Sequence, residues 1–261
     1  MKMDTQDTQD LRFAKQLLEN PGLAAKLTNL IGKPLEADFR RLPGEFERKL
    51  GKITSDSLMR ATQAALFTMR NVPGTAKSNR LHKAAVATSG AVGGFWGLPA
   101  LAIELPISTT IMLRSIADVA RSEGEPLQEI EAKLACLEVF ALGSPSNAED
   151  DAAESGYFAI RTALATSVNR AATHIAEHGL KKEGAPALAK LISKVAGRLS
   201  GPLAEKIAAQ AAPAIGAAGG ALINSVFIGH FQDMAHGHFI VRRLERKYGN
   251  DTVKGTYNSI H

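Results

Sequence analysis

The chain has 261 residues, 45% hydrophobic and 22% charged, which is enough to bury a sizeable core in one large domain or two small ones. Its formal net charge is +5, but the basic residues are scattered among nearly as many acidic ones, which argues against nucleic-acid binding. The single cysteine, Cys136, excludes an intramolecular disulfide, and its apolar surroundings indicate a small core residue rather than a nucleophile.

Aromatic residues make up only 5% of the chain, whereas alanine and glycine are abundant, which favours closely packed helices over sheets. The long segments show helical spacing of their apolar residues, and none shows sustained alternation. We therefore predict an all-α single domain with no sheet of more than two strands. Residues 1–13 contain no apolar segment of signal-peptide length, so the expected location is the cytoplasm, either free or peripheral at the inner face of the membrane.

Residues 1–75 are predicted to form an N-terminal helical region. Short amphipathic helices are expected over residues 11–20 and 23–31, and a better helix begins at Ser55 or Asp56 and ends near residue 70. The basic residues between positions 33 and 52 indicate a solvated face or, as the sharper alternative, contact with anionic lipid. The rest of the chain is divided into a helical core, residues 76–249, and a frayed tail, residues 250–261.

The most apolar stretch, residues 84–113, carries a single charge, Glu104. Its length would suffice to cross a bilayer, but Glu104, Pro99 and Pro106 favour a buried helical hairpin whose second arm begins at Pro106. Glycines four residues apart within this stretch would form a groove on a helix, into which another backbone can press: Gly90 with Gly94, and Gly93 with Gly97.

Further amphipathic helices are predicted over residues 127–142, 147–179 and 186–199, followed by a C-terminal helical region over residues 230–248. Pro126 opens the first, Asn147 caps the second, and Gly201-Pro202 ends the third. Acidic residues crowd positions 149–154, which indicates a favourable interaction with the positive end of a helix, with a metal or acid/base site as the alternative.

A second uncharged stretch, residues 207–229, resembles the first. Its Gly216-Ala217-Ala218-Gly219-Gly220 matches residues 90–94, which indicates either a weak internal duplication of two glycine-rich hairpins or chance similarity in an alanine- and glycine-rich chain. The residues expected to bind a membrane or an apolar ligand come from both stretches: Gly90, Gly93, Gly94, Phe95, Trp96, Gly97, Gly216, Gly219 and Gly220.

The most suggestive cluster for chemistry comprises His230, Asp233, His236 and His238, with Glu104 as an acid from the other hairpin. On a helix His230 and Asp233 share a face, so a metal or catalytic site is one hypothesis and hydrogen-bonded structural histidines are the other. We expect His230 and Asp233 to point inward toward Glu104 and to make satisfied polar contacts in the core. As a buried carboxylate, Glu104 needs a partner such as Arg114 or His230, or must stay protonated.

The chain resembles the EcsC protein family in four motifs between residues 81 and 249. The motifs are Ser89-Gly90-Ala91-Val92-Gly93-Gly94 with Gly97-Leu98-Pro99, Leu113-Arg114-Ser115-Ile116-Ala117, His230-Phe231-Gln232-Asp233-Met234-Ala235 with Gly237-His238-Phe239, and Arg242-Arg243-Leu244-Glu245-Arg246-Lys247-Tyr248-Gly249. The family is named for a product encoded beside an ABC transporter, so the resemblance implies a helical protein accessory to a transport system. It implies no reaction and no catalytic residues.

Two functions are therefore expected as alternatives, since no phosphate loop, dinucleotide fingerprint or nucleophile elbow is present. In the favoured one, a non-catalytic helical protein, as a monomer or a homo-oligomer, associates with an anionic membrane surface or an apolar lipid ligand and needs no cofactor. In the other, the protein is a metal-dependent hydrolase that uses the histidine cluster.

Overall fold

The computed structural model describes residues 3–19, 22–32, 44–66, 98–143, 156–179, 186–211 and 216–260. Within these ranges the chain is helical and contains no strand, which confirms the all-α prediction. The helices are α1 (Thr5–Glu19), α2 (Leu23–Ile31), α3 (Gly44–Ala61), α4 (Leu98–Ser122), α5 (Ile130–Leu142), α6 (Gly156–His178), α7 (Pro186–Ala211), α8 (Gly216–Tyr248) and α9 (Asn250–Ser259). A π-helical turn, Thr62–Leu66, extends α3.

Helix α8, 33 residues long, is the central element of the fold. It packs against α1, α2, α4, α5, α7 and α9, and this explains why apolar residues recur along its whole length. The side chains that it buries include Ile223, Phe227, Phe231, Met234, Phe239, Val241 and Leu244.

Helix α5 lies among α4, α6, α7 and α8. Every side chain from Leu134 to Leu142 is buried, so the helix is enclosed on all sides rather than on the one face that its spacing predicted. Cys136 is completely buried there, and burial raises the pKa of its thiol, which confirms a core role. The same run contains one ionisable carboxyl group, that of Glu138.

Several helix boundaries differ from the sequence prediction because tertiary packing overrides local signals. Pro106 lies inside α4 and Pro202 inside α7, so neither begins nor ends a helix as expected. At Pro106 the carbonyl group left without its usual donor belongs to Ala102, which is exposed and can be solvated. Ser55 likewise lies inside α3, which begins at Gly44.

Residues 250–259 form helix α9, so the predicted frayed tail is wrong. The reason is burial, since Val253 and Tyr257, four residues apart, are completely inaccessible. Lys15 of α1 further stabilises the end of α9 by donating hydrogen bonds to the carbonyl oxygens of Tyr257 (3.1 Å) and Ile260 (2.7 Å).

No helix within the described ranges combines the length and the apolar character needed to cross a membrane. Part of the predicted central hairpin, residues 84–97, lies outside the described residues, and its second arm is an uninterrupted part of α4. Asn147 and the acidic residues at positions 149–154 also lie outside them.

Candidate functional site

Helices α4, α7 and α8 meet at a buried ion pair. Lys206 Nζ of α7 donates to Glu104 Oε1 of α4 at 2.9 Å, and only 2% and 7% of the two side chains are exposed. The same ammonium group lies 5.3 Å from the ring centroid of Phe227 in α8, within cation–π range. The predicted partners of Glu104, Arg114 and His230, are therefore wrong.

Large apolar side chains are exposed in the N-terminal halves of both α4 and α8. Ile103, next to Glu104, is 71% exposed, and Ile107, one helical turn further along α4, is 50% exposed. Leu222, five residues before Phe227 in α8, is 54% exposed. We refer to Ile103, Ile107 and Leu222 together as the apolar end.

The glycines predicted to bind a membrane are described only in part. Gly216, Gly219 and Gly220 lie in the first two turns of α8, where Gly219 and Gly220 are half-buried. The remaining candidates lie outside the described residues: Gly90, Gly93, Gly94, Phe95, Trp96 and Gly97.

The residues of the predicted His/Asp cluster contact different partners. His230 Nε2 donates to the carbonyl oxygen of Gly143 at 3.1 Å, whereas Asp233 is 3.0 Å from Lys26 of α2. Burial lowers the pKa of His230, so its ring is neutral near pH 7. Neither side chain pairs with Glu104, and that expectation is wrong.

His236 is half-buried, whereas His238 is completely buried, with Nδ1 3.0 Å from the hydroxyl group of Tyr157. Over the part of the chain that the structure describes, no three His, Cys, Asp or Glu side chains are arranged to hold a metal ion. The structure thus does not bring His230, Asp233, His236 and His238 together as one ligand set.

A buried polar network, missed by sequence analysis, connects α5, α6 and α8. Arg161 of α6 forms a bidentate ion pair with Glu245 of α8 at 2.7 and 3.0 Å and also donates to the hydroxyl group of Tyr157 at 3.3 Å. Glu138 Oε2 lies 3.9 Å from His238 Nε2. An acidic residue inside the apolar run of α5 was the available signal, because such a carboxyl group needs polar neighbours.

Burial sets the protonation states in this network. Desolvation raises the pKa of Glu138 to about 7, although Arg161 and Arg242 oppose the shift. The pKa of His238 is lowered well below its usual value by burial and then by the same two arginines. Glu138 is therefore the group that can change charge near neutral pH, while His238 stays neutral.

The basic residues at the end of α8 are bound within the protein. Arg242 and Arg246 both donate to Glu125, whose side chain is almost completely buried after α4. Arg243 pairs with Glu123 at 2.9 Å. This part of α8 therefore joins the α4–α5 connection to the helix core and is not a free cationic surface.

One of the comparisons with known proteins identifies a family. A model described as the EcsC protein family matches residues 24–244, from α2 almost to the end of α8. The matched region includes the Glu104–Lys206 pair and the residues Glu138, Tyr157 and His238. No curated protein and no solved structure shows significant similarity to the chain.

Proposed function

The chain belongs to the EcsC protein family, and we propose that it is a non-catalytic protein that docks its apolar end on an anionic membrane surface. The proposed location is the inner face of the cytoplasmic membrane. Docking at the surface requires only a few exposed apolar side chains and nearby positive charge.

The observation that carries the proposal is the exposure of Ile103 and Ile107 on one face of α4. Single exposed aliphatic residues are common, but two such residues one turn apart on the same helix are more unusual. Leu222 is a third exposed aliphatic residue, on a helix that packs against α4. Because these side chains are already partly buried, burying the remaining exposed area of each in lipid would contribute about 1–2 kcal/mol.

Exposed basic residues on α4 and α3 would contact anionic lipid, with the exposed Asp56 of α3 opposing them. Arg114 is exposed on the same face of α4 as Ile107, since seven residues are close to two full turns. Helix α3 packs against α4 and exposes Lys52 and Arg60. Each basic residue near the headgroups would add about 1 kcal/mol, and salt would screen this contribution.

Vesicle sedimentation tests the proposal. Purified protein is mixed with vesicles of phosphatidylcholine alone or of phosphatidylcholine with phosphatidylglycerol, at low and at high salt. We expect the wild type to sediment only with the anionic vesicles and to be released by high salt. The double variant Ile103→Ser/Ile107→Ser should bind anionic vesicles with an affinity reduced by a factor of about ten or more, because its apolar contact area is lost.

The matched control is Phe13→Ser/Leu30→Ser, which removes two exposed apolar side chains from α1 and α2 instead. It should sediment like the wild type. The proposal fails if the wild type does not bind anionic vesicles at low salt, if the two double variants bind equally, or if binding is the same with both lipid compositions. Circular dichroism of each variant verifies that the helices are intact.

A further inference from the structure

The side chains of Glu138, His238 and Tyr157 lie in one row in the core, on α5, α8 and α6. All three are buried, and the imidazole of His238 stands between the other two. Its Nδ1 atom is 3.0 Å from the hydroxyl oxygen of Tyr157, and its Nε2 atom is 3.9 Å from Glu138 Oε2. Nε2 has no hydrogen-bond partner in this arrangement.

The direction of the hydrogen bonds assigns the tautomer of His238. Arg161 donates to the oxygen of Tyr157, so the hydroxyl proton of Tyr157 is available to His238 Nδ1. With Nδ1 as the acceptor, the ring proton of a neutral imidazole resides on Nε2. This N–H group points toward the carboxyl group of Glu138, and a side-chain shift of less than 1 Å would bring the two within hydrogen-bonding distance.

Charged groups surround the row. Arg161 on α6 and Arg242 on α8 favour an ionised Glu138, whereas Glu245 disfavours it. Arg242 is itself bound to Glu125, from the connection between α4 and α5, and the ring of Tyr257 on α9 stacks on Tyr157 at 5.9 Å. The two nearby guanidinium groups disfavour a metal cation between Glu138 and His238, so a proton is the species that this space can exchange.

We propose that Glu138 and His238 form a proton-responsive pair, in which His238 changes its neutral tautomer when the carboxyl group of Glu138 gains or loses a proton. With Glu138 ionised, Nε2–H of His238 faces the carboxylate, and Tyr157 donates to Nδ1. When the three side chains take up one proton from solvent, the Nε2 proton of His238 passes to Glu138, the hydroxyl proton of Tyr157 passes to Nδ1, and the solvent proton restores the hydroxyl group. The O–H group of Glu138 then faces Nε2 as a donor. The ring proton then resides on Nδ1 and points toward the oxygen of Tyr157.

The electrostatic environment supports this pairing. Burial raises the pKa of Glu138 to about 7, so its carboxyl group exchanges a proton in the physiological range. Burial lowers the pKa of His238 well below its usual value, so the ring responds by changing tautomer rather than by becoming charged. Because Tyr157 contacts both Arg161 and Tyr257, the response reaches the packing of α6 and α9. This proposal does not depend on membrane binding.

Nuclear magnetic resonance of the full chain tests the pair directly. Protein labelled with ¹⁵N in the histidine rings and ¹³C in the glutamate carboxyl groups is titrated from about pH 5 to about pH 8. We expect the Nε2–H tautomer of His238 at high pH and a growing Nδ1–H population as the pH falls. The midpoint of this tautomer change should coincide with the midpoint of the carboxyl titration of Glu138. The His238 signals are recognised by through-space contacts with the Tyr157 ring.

Glu138→Gln should keep His238 in one tautomer across this range, because its amide does not titrate. The matched control Glu131→Gln, in the exposed first turn of α5, should leave the tautomer change intact. Three results would overturn the proposal: a constant tautomer while Glu138 titrates, a Glu138 midpoint near its usual value of about 4.5, or a doubly protonated His238. If Glu138→Gln does not fold, the wild-type titration alone decides.

Discussion

Lys206 and Glu104 neutralise one another inside the protein, at a separation of 2.9 Å, and so connect α7 and α4 beside α8. Removing two charges from water is costly, and their mutual attraction offsets this cost only while both are present. The pair therefore penalises any arrangement of the core that separates the charges, and it links two helices that both pack against α3 and α8.

Substituting Lys206 by methionine should lower the free energy of unfolding by about 3–5 kcal/mol, because it leaves Glu104 buried without a counter-charge. Urea denaturation followed by circular dichroism measures the change. The double variant Lys206→Met/Glu104→Leu should recover part of the loss, since no isolated charge remains. The exposed control Lys190→Met should change stability by less than about 0.5 kcal/mol. Equal stability of Lys206→Met and the control would refute this role of the ion pair.

Gly237 is a position of close approach between two helices, where α8 packs against α1. A Cβ atom at this position would lie 2.7 Å from Leu18 Cγ and 3.0 Å from the carbonyl oxygen of Ala14. Gly237→Ala should therefore destabilise the fold by about 1–3 kcal/mol through overpacking, as measured by thermal unfolding.

Gly197 of α7 provides the opposite case for comparison. No atom lies within 4 Å of a Cβ placed there, so Gly197→Ala should stabilise the helix by about 0.5–1 kcal/mol. If both alanine variants stabilised the protein, the close contact between α1 and α8 would not be rigid. The same test at Gly94, by Gly94→Leu, concerns a residue outside the described ranges and stays a prediction from sequence.

Helical spacing of apolar residues predicted which segments are helical and which sides they bury. Leu188, Leu191, Ile192 and Val195 were expected to face inward on one helix, and all four are buried. The boundaries were harder to predict, because a proline such as Pro202 ends a helix only when packing does not hold the turns beyond it. That information lies in tertiary contacts.

The polar interior illustrates the same limit. Burial of Glu104 with a counter-charge could be predicted from its apolar surroundings, but its partner lies 102 residues away, and no spacing rule connects them. The histidines of α8 invited a common site because they are close in sequence. In the structure His230 contacts Gly143, which follows the last residue of α5, whereas His238 contacts Tyr157 on α6.

The raised pKa of Glu138 predicts how stability depends on pH. Its pKa is about 7 in the folded protein and about 4.5 in the unfolded chain, so the folded state holds a proton that the unfolded state has released. The contribution of Glu138 to the free energy of unfolding is therefore fully present below pH 4.5 and is lost as the pH rises to about 7. Across this window the loss approaches about 1.4 kcal/mol per pH unit.

Comparison with Glu138→Gln isolates this contribution, because His238 acts in the opposite direction. The lowered pKa of His238 removes stability as the pH falls below about 6.5, in both proteins alike. Relative to the wild type, Glu138→Gln should therefore gain stability steadily between pH 4.5 and 7, whereas Glu131→Gln should not. A difference that is independent of pH would show that Glu138 has an ordinary pKa.

Helix α9 should be needed for full stability, because Tyr257 fills the space beside Tyr157 and Phe158. Its ring lies 5.1 Å from that of Phe158 in an edge contact, and Lys15 of α1 contacts both this ring and the final carbonyl groups of the helix. Tyr257→Ala should lower the free energy of unfolding by about 3–5 kcal/mol, since it leaves an aromatic-sized cavity. Hydrogen exchange should then become faster in α9 and in the facing turns of α1 and α6.

The control is Asn258→Ala, on the exposed side of the same helix, which should have a free energy of unfolding close to that of the wild type. Equal stability of the two variants would show that α9 is held by its backbone contacts alone.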